Sequence, residues 1–404
     1  MKFLAGMCAF AMSGTLSMGV LLGRMLIVLA LLCAGAAAAV PARVLVLHSF
    51  GRDFAPFNGT GSAFRTELAN LLPGSVVFNE VSFDVERGGP PEDERPFIQY
   101  LLSRYQAGSP DLVVAIGAPA MHFYLRTRPQ LFPQAPLLVT GIDQRWVSSV
   151  QLEARDRYVS GALDIHGAAR DILDLLPETK ILAVVLGASA HEQGWLKEVL
   201  RELAPLSGRV HLLPLDGLTL EQLRGRVAAL PANSAVFYFL YALGPDGVPQ
   251  ENERALAEVS QASSSPVFGL YESQLGGGIV GGSLYDMRRL GTLAANVGHS
   301  MLIEGGSKAA SFNMDVEAPA YDWRELERWG IPQSRLPPGA EIRFRRPSLW
   351  EQHHGLILSG TAIVLLQASL IAALLFQRAW RRKAETEAAG LSGRLLTAHE
   401  NERR

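Results

Sequence analysis

Along the chain, short runs rich in β-branched and leucine residues alternate with longer stretches in which apolar positions recur every three or four. The runs Arg43–His48 (RVLVLH), Val76–Val81, Leu112–Ile116 (LVVAI) and Leu137–Thr140 predict strands. Between them Thr60–Leu72, Glu92–Tyr105 and Pro119–Thr127 predict helices. A second series repeats the pattern, with strands at Ile181–Leu186 (ILAVVL), Val210–Leu215, Ala235–Leu240 (AVFYFL) and Val267–Leu270. Its helices fall at Ala168–Leu176, Gln193–Leu203, Leu220–Leu230 and Asn252–Ser263. Strands apolar on both faces and separated by helices make parallel α/β layers. Periodicity lapses over Gln144–Asp164 and around Gly276–Gly282, before a last helix, Met287–Ile303. The expected fold is therefore α/β and bilobed, two doubly wound parallel sheets in series, with lobe 1 at about 43–143 plus 283–313 and lobe 2 at about 160–275. Such lobes leave a cleft at the carboxyl ends of both sheets, where ligands bind. A two-domain α/β enzyme would use the same cleft, so the loops must separate the two.

The two ends of the chain carry a different pattern. Gly355–Phe376 (GLILSGTAIVLLQASLIAALLF) has no charged residue and is long enough to cross the ~30 Å hydrocarbon layer as one helix. Arg378, Arg381, Arg382 and Lys383 follow at once. Cationic flanks stay in the cytoplasm, so residues 378–404 are expected inside and the bulk of the chain outside. Near the start, Met25–Ala39 is an apolar core preceded by Arg24 and followed by small residues, the pattern of a signal peptide. A further apolar stretch, Phe3–Leu22, lengthens it, so residues 1–40 read equally as a cleaved signal peptide or a retained N-terminal membrane anchor.

Both cysteines, Cys8 and Cys33, fall in that leader, which leaves residues 41–313 without a thiol, a disulfide or a cysteine metal site. A net charge of −2 with 19 % charged residues gives no electrostatic footprint for nucleic acid. No phosphate loop, dinucleotide-binding glycine pattern, nucleophile elbow or zinc-protease helix occurs, so neither catalytic residues, nor a cofactor, nor a metal are expected. His122, His166 and His299 lack ligand spacing, and Gly276–Gly278 with Gly281 and Gly282 reads as a hinge or a close-packed strand.

The loops at the strand ends carry small, hydroxyl, aromatic and acidic groups. The candidate ligand contacts are Ser49 and Phe50 after the first strand, Gly117 and Ala118 after the third, Asp143 after the fourth, and Ser189, Tyr241, Tyr271, Glu272 and Asp286 beyond them. Amides at the helix start beyond Gly117 suit an anion, and acids and aromatics opposite suit a cationic or flat group. The expected partner is a small organic molecule, amino-acid-like or aromatic. Asp143, Glu272 and Asp286 serve equally well as helix caps.

Val44–Phe50, Leu112–Pro119, Pro266–Gly269 and Gly282–Glu304 together resemble the ABC-transporter substrate-binding family of bilobed periplasmic proteins, over Val44 to about Asn313. Residues 314–354, with Tyr321-Asp322-Trp323, Arg328-Trp329-Gly330-Ile331, Leu336-Pro337-Pro338-Gly339 and Pro347-Ser348-Leu349-Trp350-Glu351, are similar to the juxtamembrane connector of bacterial sensor histidine kinases. In the tail, Ala384, Ala388, Leu391, Leu395 and Ala398 follow a heptad spacing that predicts a short coiled coil. Leu391–Arg404 resembles the entry to the dimerisation helix of the nitrate/nitrite-sensor class, with Leu391, Leu395 and Ala398 on the dimer seam. The resemblance implies a homodimer in the bacterial inner membrane with its sensor domain in the periplasm, the input and transmembrane part of a two-component sensor kinase. The sequence stops before a histidine box and ATP-binding domain, and His399 precedes the phosphoacceptor position. This chain is therefore expected not to be an enzyme itself, and a response regulator is reached only through a full-length kinase. The alternative is a membrane-tethered binding component of an ABC importer, for which a cytoplasmic heptad has no use.

Overall fold

The computed structural model describes residues 41–72, 76–84, 94–106, 108–303, 311–314, 318–345 and 349–402. It divides into a body ending at Phe344 and a separate unit from Arg345 onward. Lobe 1 of the body runs through β1 (Ala42–His48), α1 (Phe57–Leu71), β2 (Val76–Ser82), α2 (Arg95–Arg104), β3 (Leu112–Ile116), α3 (Ala118–Thr127), β4 (Leu137–Thr140), α4 (Gln144–Ser148) and β5 (Arg157–Gly161). Lobe 2 follows with α5 (Ile165–Leu175), β6 (Ile181–Leu186), α6 (Ala190–Leu203), β7 (His211–Leu215), α7 (Leu220–Ala228), β8 (Ser234–Leu240), α8 (Asn252–Ala262) and β9 (Val267–Phe268). The body closes with β10 (Gly281–Gly282), α9 (Met287–Ile303), β11 (Phe312–Met314), β12 (Ala320–Asp322), α10 (Trp323–Arg328) and β13 (Glu341–Arg343).

Both large sheets are parallel. Lobe 1 has the order β2-β1-β3-β4-β5-β11 and lobe 2 the order β7-β6-β8-β9. Each is a doubly wound sheet whose order reverses beside its first strand, which places the crevice at the carboxyl ends of β1 and β3, and of β6 and β8. The strands are legible because they are buried on both faces. In β1, Val44 and Val46 pack with Phe64 of α1 and Leu290 of α9, while Leu45 and Leu47 belong to the opposite core with Leu101 of α2 and Met121 of α3. In β6, Leu182 and Val184 face one core and Ala183 and Val185 the other.

The chain crosses between the lobes more than once. After β5 it enters lobe 2 through 162–164, and after β9 it returns through Tyr271–Asp286 to α9, which packs on α1 of lobe 1. Thr60 of α1 donates its hydroxyl to the Met287 carbonyl at 2.9 Å. A Cβ at Gly291 would stand 2.3 Å from the Thr60 carbonyl oxygen, so this helix pair touches backbone to backbone. β11 then extends the lobe 1 sheet, and β12 pairs antiparallel with β10 and parallel with β13. The stretch expected as a connector from residue 314 is thus built into the body as far as Phe344. Its anchors include Asp322 N–H donating to the Val280 carbonyl and the Arg328 guanidinium donating to the Ser260 carbonyl. Gly281 is the close-packed strand position: its φ is +128° and a Cβ there would lie 2.1 Å from the Ala320 carbonyl oxygen.

The second unit contains one helix, α11 (Leu349–Glu402), with non-helical dihedrals at His353 marking a kink. Among the described residues it holds the one segment long and apolar enough to cross a membrane, His353–Ala388, with mean hydropathy 2.1 and no burial by protein. The expected span Gly355–Phe376 lies inside it. Residues 1–40 and the side chains of Leu391, Leu395 and Ala398 lie outside the described residues.

The turn between β3 and α3 illustrates how the strand-end loops are built. Gly117 has φ +88°, and a Cβ on it would stand 2.6 Å from Ser49 Oγ. Gly117→Ala is expected to cost about 1–3 kcal/mol through this strained dihedral and the displaced serine. Chemical denaturation of the purified chain reads that loss as a lower midpoint at unchanged slope.

Candidate ligand-binding site

The carboxyl ends of the two sheets face each other across a cleft lined by Phe50, Phe57, Trp146, Tyr271, Tyr285 and Met287, with His191 and Trp195 from α6 of lobe 2. Gly117, Ala118, Gly141, Ile142, Asp143, Gly161 and Leu163 complete the wall. The space between these atoms is about 450 Å³ out to the mouth, and only about 30 Å³ of it would accept the centre of a water molecule. An apolar cavity that takes up benzene measures ~150 Å³ on that scale. The lobes must therefore part, or the rings turn, before a ring-sized guest enters.

Contacts across the cleft explain the narrowness. Phe50 of lobe 1 meets the His191 ring edge-on with centroids 5.3 Å apart, and Trp146 meets Trp195 at 6.3 Å and 67°. The Arg145 guanidinium lies 5.3 Å from the centre of the Trp195 ring and pairs with Glu202 on α6. Its other face holds Asp143, through Nε to Oδ1 at 2.7 Å and Nη2 to Oδ2 at 3.1 Å. Asp143 also caps α4, accepting from the Arg145 amide at 2.9 Å, and ties down the first crossing by accepting from Leu163 N–H at 3.0 Å. Burial works against the Arg145 charge, yet its bonds to Asp143 and the Asp143 and Glu202 charges raise its pKa further. Trp146, Arg145 and Glu202 thus form a brace at the hinge.

The predicted contacts fall into three groups. Phe50, Gly117, Ala118, Asp143 and Tyr271 line the cleft. Ser49, Ser189 and Tyr241 have hydroxyls committed elsewhere. Ser49 Oγ accepts from Ala120 N–H at 2.9 Å at the start of α3. Ser189 caps α6 in a reciprocal capping box with Glu192, and Tyr241 donates to the Leu218 carbonyl at 2.7 Å. Glu272 and Asp286 line a neighbouring groove with Asn58, Glu253 and Arg288. There Glu272 pairs with Arg343 and Asp286 caps α9 through the Arg288 and Arg289 amides. The amides expected at the start of α3 are also largely spent: Ala120 serves Ser49, Met121 donates to the Gly117 carbonyl, and Pro119 has no N–H.

Sequence reasoning missed Phe57, Trp146, His191, Trp195 and Tyr285. His191 and Trp195 are four residues apart on α6 and so share one face, a signal that points to a common surface. Burial pushes the His191 imidazole down to about 4, so it is neutral above that pH. Tyr285 is more hidden as a signal. Its hydroxyl lies against Gly161, where an added Cβ would come within 1.1 Å of it, and it is buried with no hydrogen-bond partner among the described residues.

Beside the cleft, on the lobe 1 edge, Glu80 receives Arg65 at 2.6 Å, His48 at 3.1 Å and Arg52 at 3.5 Å. Burial alone would raise its pKa, but the bonds and charges of His48 and Arg65 outweigh this and bring it from 4.5 down to about 2. A depressed carboxyl stabilises the fold above its unfolded pKa and loses that contribution as pH falls through its folded one. Between pH 4.5 and 2 the wild type should therefore lose on the order of 2–3 kcal/mol that Glu80→Gln never had. Melting temperatures of the two proteins should converge on acidification across that window.

No protein-family model matches the chain, and no curated protein matches it either. Solved structures do. A conserved domain protein from Vibrio cholerae is 17 % identical with a TM-score of 0.55, covering 75 % of this chain and 99 % of that one. A domain from Streptococcus pneumonia in complex with L-Trp is 14 % identical with a TM-score of 0.54, covering 75 % and 99 %. The ligand-free, open structure of a substrate binding protein with adhesive properties from Clostridium difficile is 12 % identical, TM-score 0.52, covering 76 % and 100 %. At these identities the likeness establishes the fold: two parallel α/β lobes of the substrate-binding-protein kind, followed here by a long apolar helix.

Proposed function

We propose that this chain is a membrane-bound small-molecule sensor, the input and transmembrane part of a two-component histidine kinase. The observation that carries the proposal is the cleft: an aromatic-lined space at the facing carboxyl ends of two parallel sheets, spanned by contacts that only a closed pair of lobes can make. A ligand that binds between the lobes favours closure by the difference in its affinity for the closed and open states. The Streptococcus neighbour in complex with L-Trp is an example of this fold holding a small molecule.

Signalling rather than import is supported by α11, which continues as helix from the apolar segment through the basic collar to Glu402. The collar Arg378, Arg381, Arg382 and Lys383 favours a cytoplasmic tail and a periplasmic body. In this reading two copies pair through the tail, closure shifts the membrane helices, and the response regulator is reached through the attached kinase. The body binds and does not catalyse.

The test joins the chain through Arg404 in heptad register to a histidine kinase core and measures autophosphorylation in nanodiscs across a metabolite library. A compound that raises the melting temperature of the body and changes the kinase rate is the expected result. Binding without any change in kinase rate, together with ligand-dependent stimulation of an importer, would replace this reading with the tethered binding protein.

A further inference from the structure

The charges around the cleft permit an assignment of the ligand's class, resting on the reading of the cleft as a ligand site. Among the described lining residues the one acidic side chain is Asp143, and both of its oxygens accept from Arg145 and the Leu163 amide. Arg145 in turn is held between Asp143 and Glu202. A ligand ammonium would find no free carboxylate here, and a ligand carboxylate no free guanidinium. At the start of α3 the Ser49 hydroxyl and the Gly117 carbonyl have taken the Ala120 and Met121 amides. Either charge would be desolvated without a counter-ion, a large penalty.

What the cleft does offer is flat apolar surface with two polar tips. Phe50 and Phe57 stack with centroids 4.4 Å apart, and Trp146 and Trp195 stand opposite with Tyr271 and Tyr285. This space is lined by the His191 ring and by Tyr285, whose buried hydroxyl has no hydrogen-bond partner among the described residues. A buried hydroxyl without a partner is costly and is relieved by an acceptor on the guest. We infer that the cleft takes a small, uncharged, planar ring compound with a hydrogen-bond acceptor at its edge, and rejects zwitterions, amines and carboxylates of the same ring.

The test uses the full chain in nanodiscs and compares four indoles that share one ring system: indole-3-carboxamide, L-tryptophan, tryptamine and indole-3-acetate. Uracil and benzamide extend the uncharged set. Calorimetry is expected to show an uncharged member bound at least tenfold more tightly than any charged one. Tyr285→Phe, which keeps the ring, should weaken that member about tenfold, and Trp195→Ala should abolish its binding. Tighter binding of L-tryptophan, tryptamine or indole-3-acetate, lost in Trp195→Ala, would overturn the ligand class while leaving the cleft as a ligand site. Binding of none of the six would overturn both.

Discussion

Replacing Asp143 by alanine is expected to lower the unfolding free energy of the two-lobed body by about 3–5 kcal/mol, the cost of breaking a buried, hydrogen-bonded charge pair. The Asp143 side chain is 1 % exposed, and its two oxygens serve the Arg145 amide, the Arg145 guanidinium and the Leu163 amide. Alanine leaves the two amides without acceptors and the guanidinium with Glu202 as its remaining carboxylate partner. In a body of this size the loss corresponds to roughly 10 °C in melting temperature. Asp143→Asn keeps an acceptor for the α4 cap and should fall between the two. The functional effect follows from place: Leu163 lies on the first crossing, so a loosened brace lowers the closed fraction and with it the apparent ligand affinity. A melting temperature within 2 °C of wild type would show that the brace contributes little.

Glu192→Ala should cost about as much, about 3–4 kcal/mol, for a different reason. This carboxylate is 0 % exposed at the start of α6, directly after His191. It accepts from Ser189 N–H at 3.0 Å and from Ala242 N–H at 2.7 Å, tying the loop after β6 to the loop after β8. Truncation orphans both amides and opens a cavity beneath the cleft wall. Glu192→Gln retains one acceptor oxygen and should cost about 1–2 kcal/mol. Burial, the largest influence, raises the Glu192 pKa against the hydrogen bonds from Ala242, Ser189 and Gly187. An acid with a raised folded pKa binds its proton more readily in the native state, so its contribution falls as pH rises from the unfolded value toward the folded one. The gap between wild type and Glu192→Gln should thus be wider at pH 4 than at pH 7, as denaturant titrations at both would show.

Much of the fold could be read before any coordinates because the strands are buried on both faces. LVVAI, ILAVVL and AVFYFL are uninterrupted apolar runs that a parallel sheet requires. β5, β10, β12 and β13 could not be read in the same way. They have two to five residues each, and pairing partners across the chain decide them: Gly281 opposes Tyr321, and Tyr321 opposes Ile342. The site was legible as a region rather than as a set of contacts. Ser49 and Ser189 stand where strand-end loops put ligand contacts, yet each hydroxyl accepts from a helix-start amide instead, Ser49 from Ala120 of α3 and Ser189 from Glu192 of its own α6. The aromatic members were hidden because Trp195 lies 52 residues from Asp143 and Tyr285 lies 14 from Tyr271, the nearest candidates that share the cleft, so only folding brings them together.

The most direct measurement is the distance between spin labels on the two lobes, at Thr66 of α1 and Glu221 of α7, in the full chain with Cys8 and Cys33 replaced and held in nanodiscs. Both label sites are exposed and neither lines the cleft. Lobe closure on a ligand predicts that a compound bound in the cleft, recognised by its loss in Trp195→Ala, shortens and narrows the distance distribution. An identical distribution with and without that bound compound would contradict it.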